Sequence, residues 1–567
     1  MENHEEKPSK DIVAESLTTS EDLAAVNLAD QPGGFKGLLA ASNIFWLSLF
    51  AALGGFLFGY DQGVISGVLV MEAFQLKFPR LGSDGDLEGW VVSVMQLGAI
   101  IGSVVNGPLA DKISRRHSMS IANLIMVVGA VLQAAAVNPA MMFIGRFIGG
   151  ISLGMLSMVV PMWIGEIAPP SIRGSAVTLQ QLAISFGIMV SFWLDYGMQH
   201  GTSGAIQWRV PLALRVVPAV VMIIGSFLFM PYSPRWLVNV GRETQALEVL
   251  IKLRRLPADH PLIQEEMLQI KAASAFDKAT TALKFPDART SGQKQWNQIK
   301  ELFSQKHLRK RLFVACALQV LQQFTGVNAI IYYAPKMFKA IGLSGSSISL
   351  LATGVVGVVN FLATIPAVGL VDGFGRKSVL LVGSASMAGC HLIIATLYAV
   401  YEHTWAEHAA AGWAAAAFVW FFVLHFAYSI GCIAWVYPSE IFPPGVRSTA
   451  MGLSIAVNWL SNFVIGLVTP YMLTGIRYGT FYFFFAFTAI LFAWVLLCLP
   501  ETKGVAMEDM DRLWGGNDGK EDAERMEKII KDLRSEGPMG VTAKGAFDEQ
   551  IETVSAGGIE LGKIHDA

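Results

Sequence analysis

Twelve apolar runs of bilayer-spanning length decide what this chain can fold into. They fall at about 44–66, 89–109, 118–137, 141–163, 177–198 and 208–230, then at about 312–337, 347–371, 378–402, 411–438, 446–473 and 479–499. A hydrocarbon core about 30 Å thick needs about 20 apolar residues as helix. Inside it every backbone polar group must be satisfied internally, so helices are the expected form. The chain is 53% hydrophobic and 15% charged, against about 25% charged in soluble domains. The reading is an all-α polytopic membrane protein of twelve helices. A net charge of −2 offers no footprint for nucleic acid. Cys316, Cys390, Cys432 and Cys498 stand singly in apolar runs, without metal or disulfide spacing. No nucleophile–base pair, metal-ligand set or cofactor motif stands out, so an enzyme is not expected.

The polar segments divide the runs into two sixes. Residues 1–42 read as a disordered tail, 43–232 as a six-helix half, 233–311 as a helical linker, 312–500 as a second half and 501–567 as a tail. The linker pieces ETQALEVLIKLRR and PLIQEEMLQIKAA, and AERMEKIIKDLRSE in the tail, have amphipathic periodicity. Lys112, Arg115, Arg116, Arg173, Arg376, Lys377 and Arg447 occupy alternate loops on the linker's side. By the positive-inside rule that side, with both termini, is cytoplasmic. Lys77, Arg80, Lys336, Lys339 and Arg477 fall to the opposite loops and weaken the bias without reversing it.

The first run, SLFAALGGFLFGYDQGVISG, carries two signals. Gly55, Gly59, Gly63 and Gly67 recur every four residues, a small-residue stripe against which another helix can pack closely. Asp61 falls on the opposite face. A carboxylate at that depth costs about 2.5–3.5 kcal/mol on insertion scales, so it should face protein or water. It is either a buried structural acid or a functional one, and intramembrane acids are functional candidates by default.

The two halves also repeat each other. GPLADKISRR (Gly107–Arg116) matches GLVDGFGRK (Gly369–Lys377), and PMWIGEIAPPSIRGS (Pro161–Ser175) matches WVYPSEIFPPGVRST (Trp435–Thr449). Asp111 thereby pairs with Asp372, Arg115 with Arg376, Glu166 with Glu440 and Arg173 with Arg447. A parallel six-helix repeat is a transporter architecture, with the substrate site near midplane between the halves. Mirrored charges at the cytoplasmic span ends suit an inner gate that breaks and remakes; static loop anchoring is the alternative.

These motifs, with FGYDQGVISG, GRFIGG, SPRWL (Ser233–Leu237), QQFTGVNAIIYYAP (Gln322–Pro335) and PETKG (Pro500–Gly504), resemble the sugar porters of the major facilitator superfamily, particularly fungal ones, over about Gly54–Gly504. The resemblance implies the major facilitator fold in the plasma membrane. It also implies alternating access and inward movement of a hexose or other monosaccharide coupled to H⁺. A proton-independent facilitator, a disaccharide or polyol carrier, and a non-transporting sensor are the alternatives. Gln181, Gln322, Gln323, Asn328 and Asn360 match the family's sugar-contacting amides, and Phe58, Tyr332, Trp435 and Trp459 its aromatics near the sugar. Asn458 and Asn462 are further amides inside an apolar run. A sugar needs groups that both donate and accept, with aromatic faces for its C–H patches. Arg146 shares a face with Gly150, Gly154 and Ser157, and the family pattern makes it the partner of Asp61 in proton coupling. Arg235 and Glu501, in SPRWL and PETKG, join Arg116 and the mirrored charges as inner-gate candidates. Three departures stand out. Tyr232 replaces a family Glu, Ser114 replaces a family Gly, and SIGCIAW (Ser429–Trp435) has Ile430 and Cys432 where many relatives have Trp and Pro. Gly326 is a candidate helix break, with plain packing as the alternative.

Overall fold

The computed structural model describes residues 34–82, 86–284, 291–343, 346–502, 514 and 518–535. The expectations for the remainder of both tails lie outside the described residues. Among those described, twelve helices are long and apolar enough to cross a membrane: Ser42–Val70, Glu88–Ile113, Arg115–Ala134, Pro139–Ile167, Pro170–Gly201, Ile206–Leu228, Lys306–Ala340, Ile348–Ala367, Arg376–Tyr401, Ala409–Pro438, Thr449–Gly475 and Gly479–Cys498. They are numbered as spans one to twelve below. Each overlaps an apolar run. A short helix, Gly34–Ala40, occupies the end of the segment read as tail.

Among the described residues four spans are interrupted, the first of them at Ala52, between Ser42–Ala51 and Leu53–Val70. The seventh consists of Lys306–Phe324 and Val327–Ala340, separated at Gly326, whose φ of +89° an L side chain rarely adopts. The tenth breaks at Ser429 (φ −108°, ψ −104°), inside the departure SIGCIAW. The sixth breaks at Arg215, between Ile206–Leu214 and Val216–Leu228.

Small residues set the close approaches. The first-span stripe lies on the backbone of the fifth span, Gly55 over the Gln180 carbonyl and Gly59 over that of Ile184. Gly150 and Gly154 do the same on the second span, over Met95 and Ala99. Between the first six spans and the last six, a Cβ at Gly89 would lie 2.5 Å from the Leu467 carbonyl oxygen, and one at Gly357 2.7 Å from Met189 Cα. Second against eleventh and fifth against eighth are therefore backbone-close seams.

The described residues of the linker form four helices, Pro234–Asn239, Glu243–Arg254, Pro261–Lys284 and Ser291–Ser304. The first and last were not foreseen. Trp236, Leu237, Leu250, Ile263 and Met267 make a separate small core there. Arg254 clamps it to the membrane region, donating to Glu266 at 2.6 and 2.8 Å and to the Ile167 carbonyl at 2.9 Å. The tail helix Asp518–Ser535 packs on Pro261–Lys284, with Arg534 3.1 Å from Glu265.

Candidate transport site

A partly open cavity, about 450 Å³ with the solvent space at its mouth included, lies between the two sets of six spans. Nine of the expected substrate residues line it: Phe58, Gln181, Gln322, Gln323, Asn328, Asn360, Trp435, Asn458 and Asn462. Gln62, Ile184, Ile188, Ile331 and Phe426 complete much of the wall and were not foreseen. Gln62 adjoins Asp61 in the first span, so its polarity inside an apolar run was the available signal.

The amides hold one another in place. Asn458 donates to Gln319 and Gln322, both at 2.7 Å, and accepts from Gln323 at 3.1 Å, while Asn328 donates to Gln323. Gln322 donates to the Ile430 carbonyl at 3.2 Å, just past the Ser429 break. The SIGCIAW departure thus supplies a carbonyl to the amide mesh and, through Gly431, part of the cavity wall. Buried amides are costly without partners, so this mesh fixes their orientation before a ligand arrives.

Two expected aromatics stand elsewhere. Trp459 is completely buried behind the wall, its ring 5.0 Å from that of Phe58. Tyr332 is also fully buried; its hydroxyl donates to Asn462 at 3.1 Å and lies 3.1 and 3.0 Å from the side-chain amides of Gln62 and Gln96. It ties the seventh and eleventh spans to the first and second. Being consumed by protein partners, it braces the closure beside the cavity. A further bridge at that end is Lys336 to Glu88, 2.7 Å apart with little exposure. Lys336 was read as a loop charge, but it belongs to the seventh span's second helix. These contacts close the cavity at the end remote from the linker.

Asp61 does not pair with Arg146. Its carboxylate forms an ion pair with Arg215, at the sixth-span break, and both side chains are essentially without solvent exposure. Arg215 Nε also donates to the Leu212 carbonyl at 3.0 Å. Arg146 is fully buried and donates to the Val92 carbonyl at 3.1 Å. The glycines that share its face pack on the second span and turn the guanidinium there. Its Nε and one Nη, like one Asp61 oxygen and one Arg215 Nη, have no hydrogen-bond partner among the described residues. Asp61 remains within electrostatic reach of Arg146. The site therefore holds one acid between two buried arginines. Arg215 could have been found by the rule that flagged Asp61, since it sits inside an apolar run.

At the linker end the mirrored charges meet as mirrored pairs. Arg115 lies 3.0 Å from Glu166 and 2.9 Å from Asp111; Arg376 lies 2.6 Å from Glu440. Glu501 accepts the backbone N–H groups of Arg376 and Lys377 at 2.9 Å each, at a helix N-terminus where a carboxylate is favoured. Each of these contacts joins spans on the same side of the repeat, so each braces one half internally. Arg447 donates to the Phe442 carbonyl at 3.0 Å. Arg173, Arg235 and Arg447 lie within electrostatic reach of each other. The side chain of Asp372 lies outside the described residues. Arg116 donates to the Met230 carbonyl and its guanidinium sits 4.5 Å from the Tyr232 ring centroid. The Tyr that replaces a family Glu thus holds this arginine by cation–π attraction.

The family described as "Sugar (and other) transporter" matches residues 47–514. The quinate permease of Emericella nidulans is 33% identical over 90% of this chain and 96% of its own length. The low-affinity glucose transporter HXT3 of Saccharomyces cerevisiae is 34% identical over 85% of this chain and 84% of its own. Among solved structures, the partially occluded inward-open xylose transporter XylE from E. coli matches with a TM-score of 0.66 and 28% identity, over 82% of this chain and all of that one. The structure of the proton:xylose symporter XylE bound to 6-bromo-6-deoxy-D-glucose gives 0.67 and 29%, over 83% of this chain and 99% of that one.

Proposed function

Because the chain belongs to the sugar transporter family of the major facilitator superfamily, we propose that it carries a neutral monosaccharide inward across the plasma membrane, coupled to H⁺, by alternating access. The observation behind this reading is the amide-lined cavity between the two sets of spans, with a buried acid held between two arginines nearby. Its described lining contains no Lys, Arg or His. A carboxylate substrate would find no compensating charge there, and burying one unpaired is expensive. A neutral polyhydroxyl ring fits the donors and acceptors present, and this favours sugar over an acid such as quinate. With the linker and both termini assigned to the cytoplasm by their basic loops, the end closed by Tyr332 and the Glu88–Lys336 pair is extracellular. Loosening these contacts opens the cavity outward. The mirrored charge pairs brace each half at the inner end while the halves rock, and Arg173, Arg235 and Arg447 come together there.

Coupling rests on Asp61. Ionised, it holds Arg215 across the sixth-span break; protonated, it releases that arginine and frees the spans to rearrange. Arg146, with unpartnered N–H groups within electrostatic reach, is the alternate partner for the acid in another conformation. One charge crossing 100 mV supplies about 2.3 kcal/mol, about 50-fold in accumulation. The test is uptake of labelled hexoses, pentoses, disaccharides, polyols and quinate in transport-null yeast, with and without a protonophore. Wild type should accumulate a monosaccharide and lose accumulation with the protonophore. Asp61→Asn should abolish accumulation while keeping some counterflow exchange. Equilibration indifferent to the protonophore would make the protein a facilitator, and quinate uptake without sugar uptake would overturn the substrate reading.

A further inference from the structure

The glycine stripe of the first span ends on a second acid. Gly67 lies six residues beyond Asp61, about 9 Å further along the helix, and a Cβ there would fall 2.6 Å from Asp195 Cγ on the fifth span. Asp195 has no solvent exposure, and among the described residues neither of its carboxyl oxygens finds a side-chain partner; the Gly67 backbone faces it instead. An uncompensated carboxylate at such a position carries a desolvation cost of several kcal/mol, whereas the neutral acid does not. Nothing in the amide mesh or the Asp61–Arg215 pair uses this residue.

The charged and titratable groups around it are few. Tyr60 on the first span is within electrostatic reach, whereas Asp61 on that span's opposite face, Arg215 on the sixth span and Arg146 on the fourth stand further off. Arg209, also on the sixth, reaches toward the Ala136 carbonyl instead. Beyond Asp195 on its own helix stand Tyr196 and His200. The eighth span meets this helix through Gly354 and Gly357. Tyr60 is within electrostatic reach of Asp195, Asp61 and Arg215 alike, and its hydroxyl donates to the Pro211 carbonyl at 2.9 Å.

We infer that Asp195 is a second proton-carrying carboxyl, placed on the extracellular side of Asp61, that is loaded from outside and passes its proton to Asp61. The inference rests on the coupling assigned to Asp61 above. The O–H bond of the Asp195 carboxylic acid breaks as the Tyr60 hydroxyl oxygen takes that proton, and the proton Tyr60 releases forms an O–H bond on the Asp61 carboxylate, which gives up Arg215. For this the Tyr60 hydroxyl turns from the Pro211 carbonyl toward Asp61. Asp195, now ionised, takes a proton from the external medium when the outer end opens, and Asp61 releases its proton to the cytoplasm. One proton accompanies each sugar, and the second acid only sets where it waits.

Two measurements on purified full-length protein test this. Infrared spectra should show the carbonyl stretch of a protonated carboxyl in wild type and in Asp61→Asn, and lose it in Asp195→Asn. In proteoliposomes with a pH-sensitive dye, Asp195→Asn should slow sugar-driven proton uptake by about 100-fold, the low end of what a positioned proton carrier contributes. That slowing should exceed any effect on counterflow and grow as external pH rises, and Asp195→Glu should restore much of the rate. A carboxyl band unchanged in Asp195→Asn, or proton uptake with the wild-type pH profile, overturns the relay while leaving the Asp61 reading intact. A wild type that moves sugar without protons overturns both.

Discussion

Two residues carry expectations that can be read from a single side chain. Ser114 stands at φ +89° and ψ 156°, and its counterpart in the repeat, Gly375, at φ +88° and ψ 158°. The repeat imposes one backbone conformation on both loops, but only the second supplies glycine. That region is nearly glycine-only and costs a residue with a Cβ about 1–3 kcal/mol. The Ser114 hydroxyl offsets part of this by accepting from the His117 N–H, a cap whose replacement by glycine costs only a few tenths of a kcal/mol. Ser114→Gly should therefore raise stability by about 0.5–2 kcal/mol, seen as a higher Tm in detergent; a lower Tm would contradict the strain argument. Gln322, at the centre of the amide mesh, makes a different expectation. Its removal should raise KM by about 2- to 12-fold, the worth of one hydrogen bond to a neutral group. Unchanged KM for every transported sugar, with normal surface expression, would take it out of the site.

Among elements, the contact of the first and fifth spans is tightly constrained. A methyl at Gly59 would drive into the Ile184 carbonyl and main chain, and backbone has little room to yield. Gly59→Ala should cost about 1–3 kcal/mol, as overpacking does, and lower Tm, whereas Gly197→Ala on the fifth span, where a Cβ meets nothing within 4 Å, should be nearly neutral. Equal behaviour of the two variants would mean that the seam does not depend on glycine. The broken seventh span follows similar logic. Gly326 faces the Phe484 ring, and His391 lies 2.9 Å from the Thr325 carbonyl that the break leaves outside the helix ladder. The break is thus held by partners as well as permitted by glycine.

At the scale of the whole molecule, the balance between inward and outward states should answer to the contacts at the outer end. Lys336 and Glu88 join the seventh span to the second with side chains only 18% and 4% exposed. A hydrogen bond to a charged group contributes about 1.5–3 kcal/mol, so Glu88→Gln should shift the equilibrium toward the outward-open state by about 10- to 150-fold. Distances between spin labels on the outer ends of the second and seventh spans would report it. A distance distribution unaltered by the substitution would show that the pair holds no state closed.

The chain's own residues determined the twelve spans, the twofold repeat of six spans, the glycine faces and the set of amides that meets in the cavity. These are properties of length, period and composition, and they survive whatever neighbours a helix acquires. Tertiary structure alone decided what stands across each face. Helical periodicity put Arg146 on the face with Gly150 and Gly154, but the identity of the opposing helix sent it to the Val92 carbonyl and left Asp61 to Arg215. The same holds for Tyr332 and Trp459, which share their helices' inner faces with the site yet lie one layer away, against protein. A period of 3.6 residues fixes an angle around one axis. Which of eleven other axes lies at that angle depends on how all twelve pack, and no single span contains that information.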